Sequence, residues 1–424
     1  MGGHGRTVAR IAVSGAGWWG QGWHLPHLHR RPDAMVAAIV ERAKVPRSSN
    51  AAQKLDTAQE LSDRYSAPVF DSVEALLASS TELDGLLVGV SHADHAHQAT
   101  LAIDAGIHVL VEKPMTTSVV EARGLASAAE AHMDAGRFFA INNTANWREG
   151  CRVAAAAVAA GRIGHVEHVS AHMHSPLLWL FDDACNAGWT QATDGMSGNG
   201  FAWGQLSHLL AWVFHVTPLQ PTRVFASMGR SESSGADLHD SAVICCEGGA
   251  SISVSGTAAV PGDAHSDAPV GKSIQFAIFG SEGSLAYAGD DQRPGSGVLE
   301  LRRRDRRPAH QVLHPAFEFE NYEPSGTGGP NRWTHSSTRA WGGRRTSART
   351  PTWGCAAFRP PTPCTGAPCL GRWRNACERS FSGVARSSCT PLARVMGEFC
   401  RVKSVHGLRI RAARNASRFS PPFV

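Results

Sequence analysis

The stretch Gly106–Met115, GIHVLVEKPM, decides the fold. It opens as a run of branched apolar residues, the pattern of a strand buried on both faces of a parallel sheet. The run stops on Glu112, Lys113 and Pro114: a carboxylate, an ammonium and a ring that cannot donate to a sheet ladder. In doubly wound sheets, ligands bind outside the carboxyl ends of the strands. Lys113 therefore stands where a cation can polarise a hydroxyl or carbonyl, and burial there would lower its pKa toward catalytic usefulness. The simpler reading of Glu-Lys is a surface ion pair that closes the strand. A cis bond between Lys113 and Pro114 would fix the turn.

On either side of this strand the text alternates in the same way. RIAVSG (10–15), MVAAIVE (35–41), LDGLLVGV (83–90) and RFFAIN (137–142) read as strands, with helical text such as AHQATLAIDAG (96–106) between them. Alternation of this kind predicts an α/β, doubly wound parallel sheet over residues 1–138. Beyond it the Ala-rich CRVAAAAVAAGRIG (151–164) predicts a helix with a glycine stop. Strand-like pieces follow, from HVEHVSAHMHS (165–175) to GVLELRRR (297–304), with GQLSHLLAWVF (204–214) as a helix laid against them. The expectation is a C-terminal α+β domain over residues 139–327, built on an open, mainly antiparallel sheet.

GAGWWG places Gly15, Gly17 and Gly20 after a strand and before a helix. That spacing serves a tight turn, close backbone approach to a pyrophosphate and close helix packing, while the helix N-terminus offers free N–H groups to phosphates. A glycine-rich loop without a ligand is the plainer alternative. Glu41 ends the second strand, 21 residues after Gly20. An acid there accepts bonds from ribose hydroxyls and favours NAD, whereas Arg42, Lys44 and Arg47 beyond it would suit the 2′-phosphate of NADP. Glu41 also fits an ordinary solvated strand end.

In this order, GAGWWG, Glu41, His95 at a helix start, AGIHVLVEKPM and a later glycine-rich segment ending in histidine resemble the Gfo/Idh/MocA oxidoreductases, from about Arg10 to Thr327. The resemblance implies a Rossmann domain, an open-sheet second domain, and NAD(P)-dependent oxidation of a sugar, inositol or related polyol by a homo-oligomer. It implies that Lys113 contacts substrate beside the nicotinamide. It also implies that His208 is the general acid/base, an imidazole having an intrinsic pKa near ~6.5. In GWTQATDGMSGNGFAWGQLSH (188–208), Trp189, Gly198 and Gly200 match the family's segment, but Gly204 stands where an Asp is usual, one helical turn before His208. Gln205 or Lys113 is then left to orient the imidazole. Two alternatives follow: an NAD-assisted glycoside hydrolase of the same family, or a non-catalytic nucleotide-dependent sensor, which the missing Asp would suit.

Other residues are placed around this core. Ser91, His92 and His95 fall on the loop after a strand, beside the expected nicotinamide. Trp18 and Trp19 either wall the nicotinamide side or simply pack. His172 and His174 are candidates to line the substrate cleft with Trp189 and Gln205. HADHAH and HLPHLH invite a metal reading, but neither has a spaced thiolate or carboxylate partner, so no metal is expected. No apolar run reaches the ~18 residues of a membrane span, and MGGHGRTVAR lacks the apolar core of a signal peptide, so the expectation is a cytoplasmic protein without a membrane partner.

The overall charge of +5 conceals a split. From Gly328 onward stand 17 Lys and Arg against only Glu378 and Glu398, or +15, which leaves −10 for the first 327 residues. Six of the ten cysteines lie in these last 97 residues, without zinc-like spacing. A disordered basic tail and a nucleic-acid-binding extension are two readings. Such charge attracts polyanions nonspecifically, so no specific nucleic acid is expected. A third reading is protein text in the wrong frame. Codons rebuilt from the third base of each codon and the first two of the next permit PESLDAFIDACLG from Gly329 and ADAMYRSA from Pro360, strings that resemble this family's usual ending. We adopt the frame change. Resequencing the gene across the Thr327 codon is expected to show a one- or two-base discrepancy; a clean read from a native source would rule out an error of sequencing.

Overall fold

The computed structural model describes residues 8–44, 46, 55–143, 146, 149–192, 196, 198–262, 270–290, 296–304 and 310–315. Arg47 and the segment from Gly328 onward, with its frame reading, lie outside the described residues.

Six parallel strands form the first sheet: β1 (Ala9–Ser14), β2 (Ala34–Val40), β3 (Val69–Phe70), β4 (Gly85–Val88), β5 (His108–Val111) and β6 (Phe139–Ile141). Their order is β3-β2-β1-β4-β5-β6, with every neighbouring pair parallel. The apolar runs read from sequence are these strands. All four residues of β4 and all three of β6 are buried, as a sheet covered on both faces requires. β6 pairs with β5, so the boundary expected before Phe139 falls inside this sheet; RFFAIN belongs wholly to the first unit. Between strands, side chains start the helices. Thr57 Oγ1 accepts from the Glu60 N–H at 3.2 Å while Glu60 Oε2 accepts from the Thr57 N–H at 2.7 Å, a reciprocal cap on the Ala58–Tyr65 helix.

The strand order reverses between β1 and β4, which opens a crevice at their carboxyl ends. Three loops reach that edge: Gly15–Trp19 after β1, Gly89–Asp94 after β4, and Glu112–Pro114 after β5.

The second sheet has eight strands: β7 (Val166–His174), β8 (Pro221–Arg230), β9 (Asp237–Cys246), β10 (Ser251–Thr257), β11 (Ser273–Gly280), β12 (Gly283–Asp290), β13 (Val298–Arg303) and β14 (His310–His314). Its order is β14-β13-β12-β11-β7-β10-β9-β8. All neighbours are antiparallel except β7 and β10, which run parallel. Helices Glu149–Ala159 and Ser207–Val216 pack on one face. There Trp212 lies flat on Phe276, ring centroids 3.8 Å apart and planes within 11°, with Tyr287 beyond at 6.2 Å. Aromatic rings each bury about 150–250 Å², so this stack anchors the helix to the sheet. The period of two is clear in β7: Val169, Ala171 and Met173 are buried while Ser170, His172 and His174 face away.

Replacing Phe276 by alanine removes the floor of this stack. The expected cost is about 3–5 kcal/mol in the unfolding of the second unit, read from urea titrations. A cost below about 1 kcal/mol would mean that the Trp212 helix is held by other contacts.

Candidate active site

At the nucleotide end, two glycines are sterically required. Gly15 has φ +93°, and a Cβ there would stand 2.4 Å from the Gly89 carbonyl oxygen. A Cβ on Gly20 would stand 2.1 Å from the Gly15 oxygen. The wider helical turn Gly20–His24 follows, with no side-chain cap at its start. Gly15 and Gly20 thus leave a cradle of bare backbone, which suits close approach of a pyrophosphate. Glu41 is half-buried rather than a solvated strand end. Its Oε2 accepts from the Ala16 N–H and its Oε1 from the Ala43 N–H, both at 3.0 Å, so the carboxylate is fixed at the tip of β2 beside the cradle. Arg42 and Lys44 are exposed.

Glu112, expected at the cofactor, is instead buried beneath the site. Its Oε1 receives the Trp19 indole N–H at 3.0 Å and the Asn142 amide at 2.5 Å, and His24 Nε2 lies 2.9 Å away. Burial alone would raise this carboxyl; the contacts with His24 and Asn142 and the Lys113 charge outweigh it and hold the pKa near about 2. Glu112 thus ties the glycine-turn helix, β5 and β6 together. Trp19 belongs to this tie and stacks on Trp23 at 5.6 Å, while Trp18 meets it edge-on. These contacts show the two indoles packing on one another and on Trp23.

Lys113 leaves the sheet edge through a cis bond to Pro114. Its Nζ donates to the Gly204 carbonyl at 2.9 Å and lies 5.2 Å from the centre of the Trp189 ring. Burial, and then the charge of Lys272, push its pKa down to about 7 against the opposing pull of Glu112. Gly204 is closely packed. A Cβ there would stand 3.3 Å from Phe181 Cζ and 3.4 Å from Trp189 Cζ3, so the two rings would have to give by a few tenths of an ångström. The backbone carbonyl at this position, and not an acid, meets the lysine.

The turn that carries Gly204 is held along its length. Asp237 Oδ2 accepts from the Ala202 N–H at 2.5 Å, and a Cβ on Gly200, where φ is +108°, would stand 2.3 Å from Asp237 Oδ1. Lys272 Nζ donates to Gln205 Oε1 at 2.8 Å, and the Trp203 indole donates to the Thr116 carbonyl at 2.9 Å. His208 follows in the Ser207–Val216 helix and is buried. Lys113, Trp189, Gly204 and Gln205 therefore come together, with His208 one turn further on.

The other candidates divide. His92 is buried edge-on against Trp189, centroids 4.5 Å apart, so it backs the site wall. His95 sits between the carbonyls of Pro114, at 2.7 Å, and Val90, at 3.2 Å, and clips two loops together. Ser91 is exposed and bonds Asp94. His172 and His174 share the other face of the strand. β7 turns them to the face opposite Met173, and the two ring nitrogens of His172 lie 2.8 Å from Ser170 Oγ and Ser255 Oγ. In HLPHLH the three rings part: His24 meets Glu112, His27 packs on Trp23 and His29 on Tyr65. Sequence reasoning missed Lys272, Asn142 and Asp237, single residues without a motif, and the bond of His24 in HLPHLH to Glu112; long-range topology delivers each.

Because the folded pKa of Lys113 lies below the ~10.4 of a free lysine, the unfolded chain binds one more proton between these values. Its contribution to stability therefore rises with pH from about 7 to about 10. Urea midpoints measured across this window are expected to climb more steeply for the natural chain than for Lys113→Met. Parallel slopes would mean that Lys113 is not depressed.

Residues 9–135 match the model of the oxidoreductase family with an NAD-binding Rossmann fold, and residues 151–286 match the GFO/IDH/MocA C-terminal domain. A 1-carboxy-3-chloro-3,4-dihydroxycyclohexa-1,5-diene dehydrogenase of Comamonas testosteroni is 25% identical over 148 residues, 35% of either chain. A UDP-N-acetylglucosamine 3-dehydrogenase of Acidithiobacillus ferrooxidans is 36% identical over 104 residues, 24% of this chain and 31% of that protein. The chain thus matches about a third of the length of these curated relatives. An oxidoreductase from Agrobacterium radiobacter, solved with NAD+, L-tartaric acid and magnesium, superposes with a TM-score of 0.57 at 14% identity, covering 79% of this chain and 85% of its own. With the cradle, the sheet-edge lysine and both family models in agreement, the chain belongs to the Gfo/Idh/MocA family of NAD-binding oxidoreductases.

Proposed function

We propose that this chain is an NAD-dependent dehydrogenase acting on a secondary alcohol of a sugar, inositol or related polyol. The observation that carries the reading is the 2.9 Å bond from Lys113 Nζ to the Gly204 carbonyl, which joins the edge of the nucleotide sheet to the helix bearing His208. Both curated relatives are named as dehydrogenases of hydroxylated or sugar rings, which supports it.

The Gly15–Gly20 cradle suits the pyrophosphate, and Glu41 suits the ribose hydroxyls. A fixed carboxylate at that point repels a 2′-phosphate, which favours NAD over NADP. When bound, the nicotinamide supplies a two-electron acceptor for the carbinol hydrogen. Lys113 holds the substrate oxygen, as donor while charged, and steadies the negative charge that develops there. His208 takes the hydroxyl proton. Trp189 and His92 close one side of the site and exclude water. We further read the protein as a cytoplasmic homo-oligomer. Phe225 and Val243, paired across β8 and β9 and 61% and 48% exposed, support a covered sheet face.

A screen of sugars and inositols with NAD, followed as NADH formation, tests the reading. Lys113→Ala and His208→Ala are each expected to lower kcat/KM by ~100-fold or more while dinucleotide affinity is kept. Loss of affinity in either variant would contradict the assigned roles.

A further inference from the structure

Lys272 belongs to no motif and is the second cation of the site. It stands at the entrance to β11 and sends its Nζ 2.8 Å to Gln205 Oε1, while Lys113 sends its own Nζ 2.9 Å to the carbonyl of the preceding residue. Two ammonium groups thus address adjacent residues of one helical turn, one from each sheet. Gln205 is only 4% exposed, so the anchor of Lys272 is a buried amide. An ammonium can only donate, which fixes the amide oxygen toward Lys272 and leaves the two N–H donors of Nε2 for another acceptor. The two positive charges feel one another: Lys272 is among the causes that depress Lys113.

An alcohol needs one such group; a second cation set beside an amide donor is the chemistry that reads an anionic oxygen group. We propose that Lys272, with Gln205, binds an anionic group carried by the substrate, a carboxylate or a phosphate, while the alcohol to be oxidised lies at Lys113, so that acidic polyols are preferred over neutral ones. The inference rests on the dehydrogenase reading above and adds its substrate class. The anion also lies between like charges and relieves their repulsion, which couples binding of the acid to the protonated state of Lys113.

The test compares matched compounds on the full chain with NAD: glucose and myo-inositol as neutral alcohols, gluconate and glucuronate as carboxylates, glucose 6-phosphate as the phosphate. The natural chain is expected to favour an acid over its neutral partner by ~10–100-fold in kcat/KM, the range of a charge-assisted hydrogen bond. Lys272→Met is expected to collapse that ratio mainly through KM, and Lys272→Arg to retain it. The pH at which the rate inflects is expected to rise in Lys272→Met, a change that loss of packing alone would not cause. The carboxylate and phosphate arms identify the anion. Turnover of neutral polyols with a ratio near one, unmoved by Lys272→Met, overturns the inference and leaves the dehydrogenase reading intact. If no alcohol yields NADH, that reading fails, and binding decides the rest. Thermal stabilisation by the acids with NADH present should then appear in the natural chain and Lys272→Arg but not in Lys272→Met, and its absence overturns the inference too.

Discussion

A single hydrogen bond between two sheets organises this molecule: the amine of Lys113 against the carbonyl of Gly204. A cation leaving the edge of a buried sheet must find a partner or lose its charge. Here it finds a backbone dipole and the face of an indole, neither of which is an anion, and a second lysine opposes it. Its pKa is therefore pushed down to about 7, so that near neutral pH the amine is about half charged.

The surroundings of that bond follow from keeping it in place. Behind the lysine, Glu112 is fixed from two elements, by Trp19 and His24 of the glycine-turn helix and by Asn142 after β6, so the strand end cannot shift without breaking a buried carboxylate network. Across the crevice, Asp237 holds the first N–H of the turn and Lys272 its glutamine. Burial and the neighbouring Asp237 raise the Asp240 carboxyl to about 9, so the pair behind this turn shares a proton rather than bearing two charges. The glycine at 204 fits the same logic. Phe181 and Trp189 pack closely over this position, and its carbonyl is the partner of the lysine.

Much of the first sheet was legible in the sequence because strands buried on both faces carry their own signature. Val109–Val111 and Gly85–Val88 are continuous apolar runs, and the GAGWWG turn sits where steric rules admit only glycine. β3 escaped because two residues, Val69 and Phe70, make no pattern. RFFAIN reads as a strand, but nothing local says which sheet the three-residue β6 joins; its pairing with β5 places it in the first. In the second sheet, the parallel pairing of β7 with β10 depends on which strands meet in space, which alternation does not encode. In β7 the parity is legible: Val169, Ala171 and Met173 assign the buried face, and His172 and His174 have the opposite parity. Lys113, Trp189 and His208 stand out in the sequence through motif and resemblance. Lys272, Asn142 and the bond of His24 to Glu112 became visible only once the fold delivered them.

A crystal structure of the chain with NAD bound is the most direct measurement. The expected result is Lys113 Nζ within hydrogen-bond distance of the Gly204 oxygen, with His208 facing the same crevice beside the nicotinamide ring. A nicotinamide lying in a crevice that lacks either side chain, or a Lys113 turned away from Gly204, would contradict the site as described.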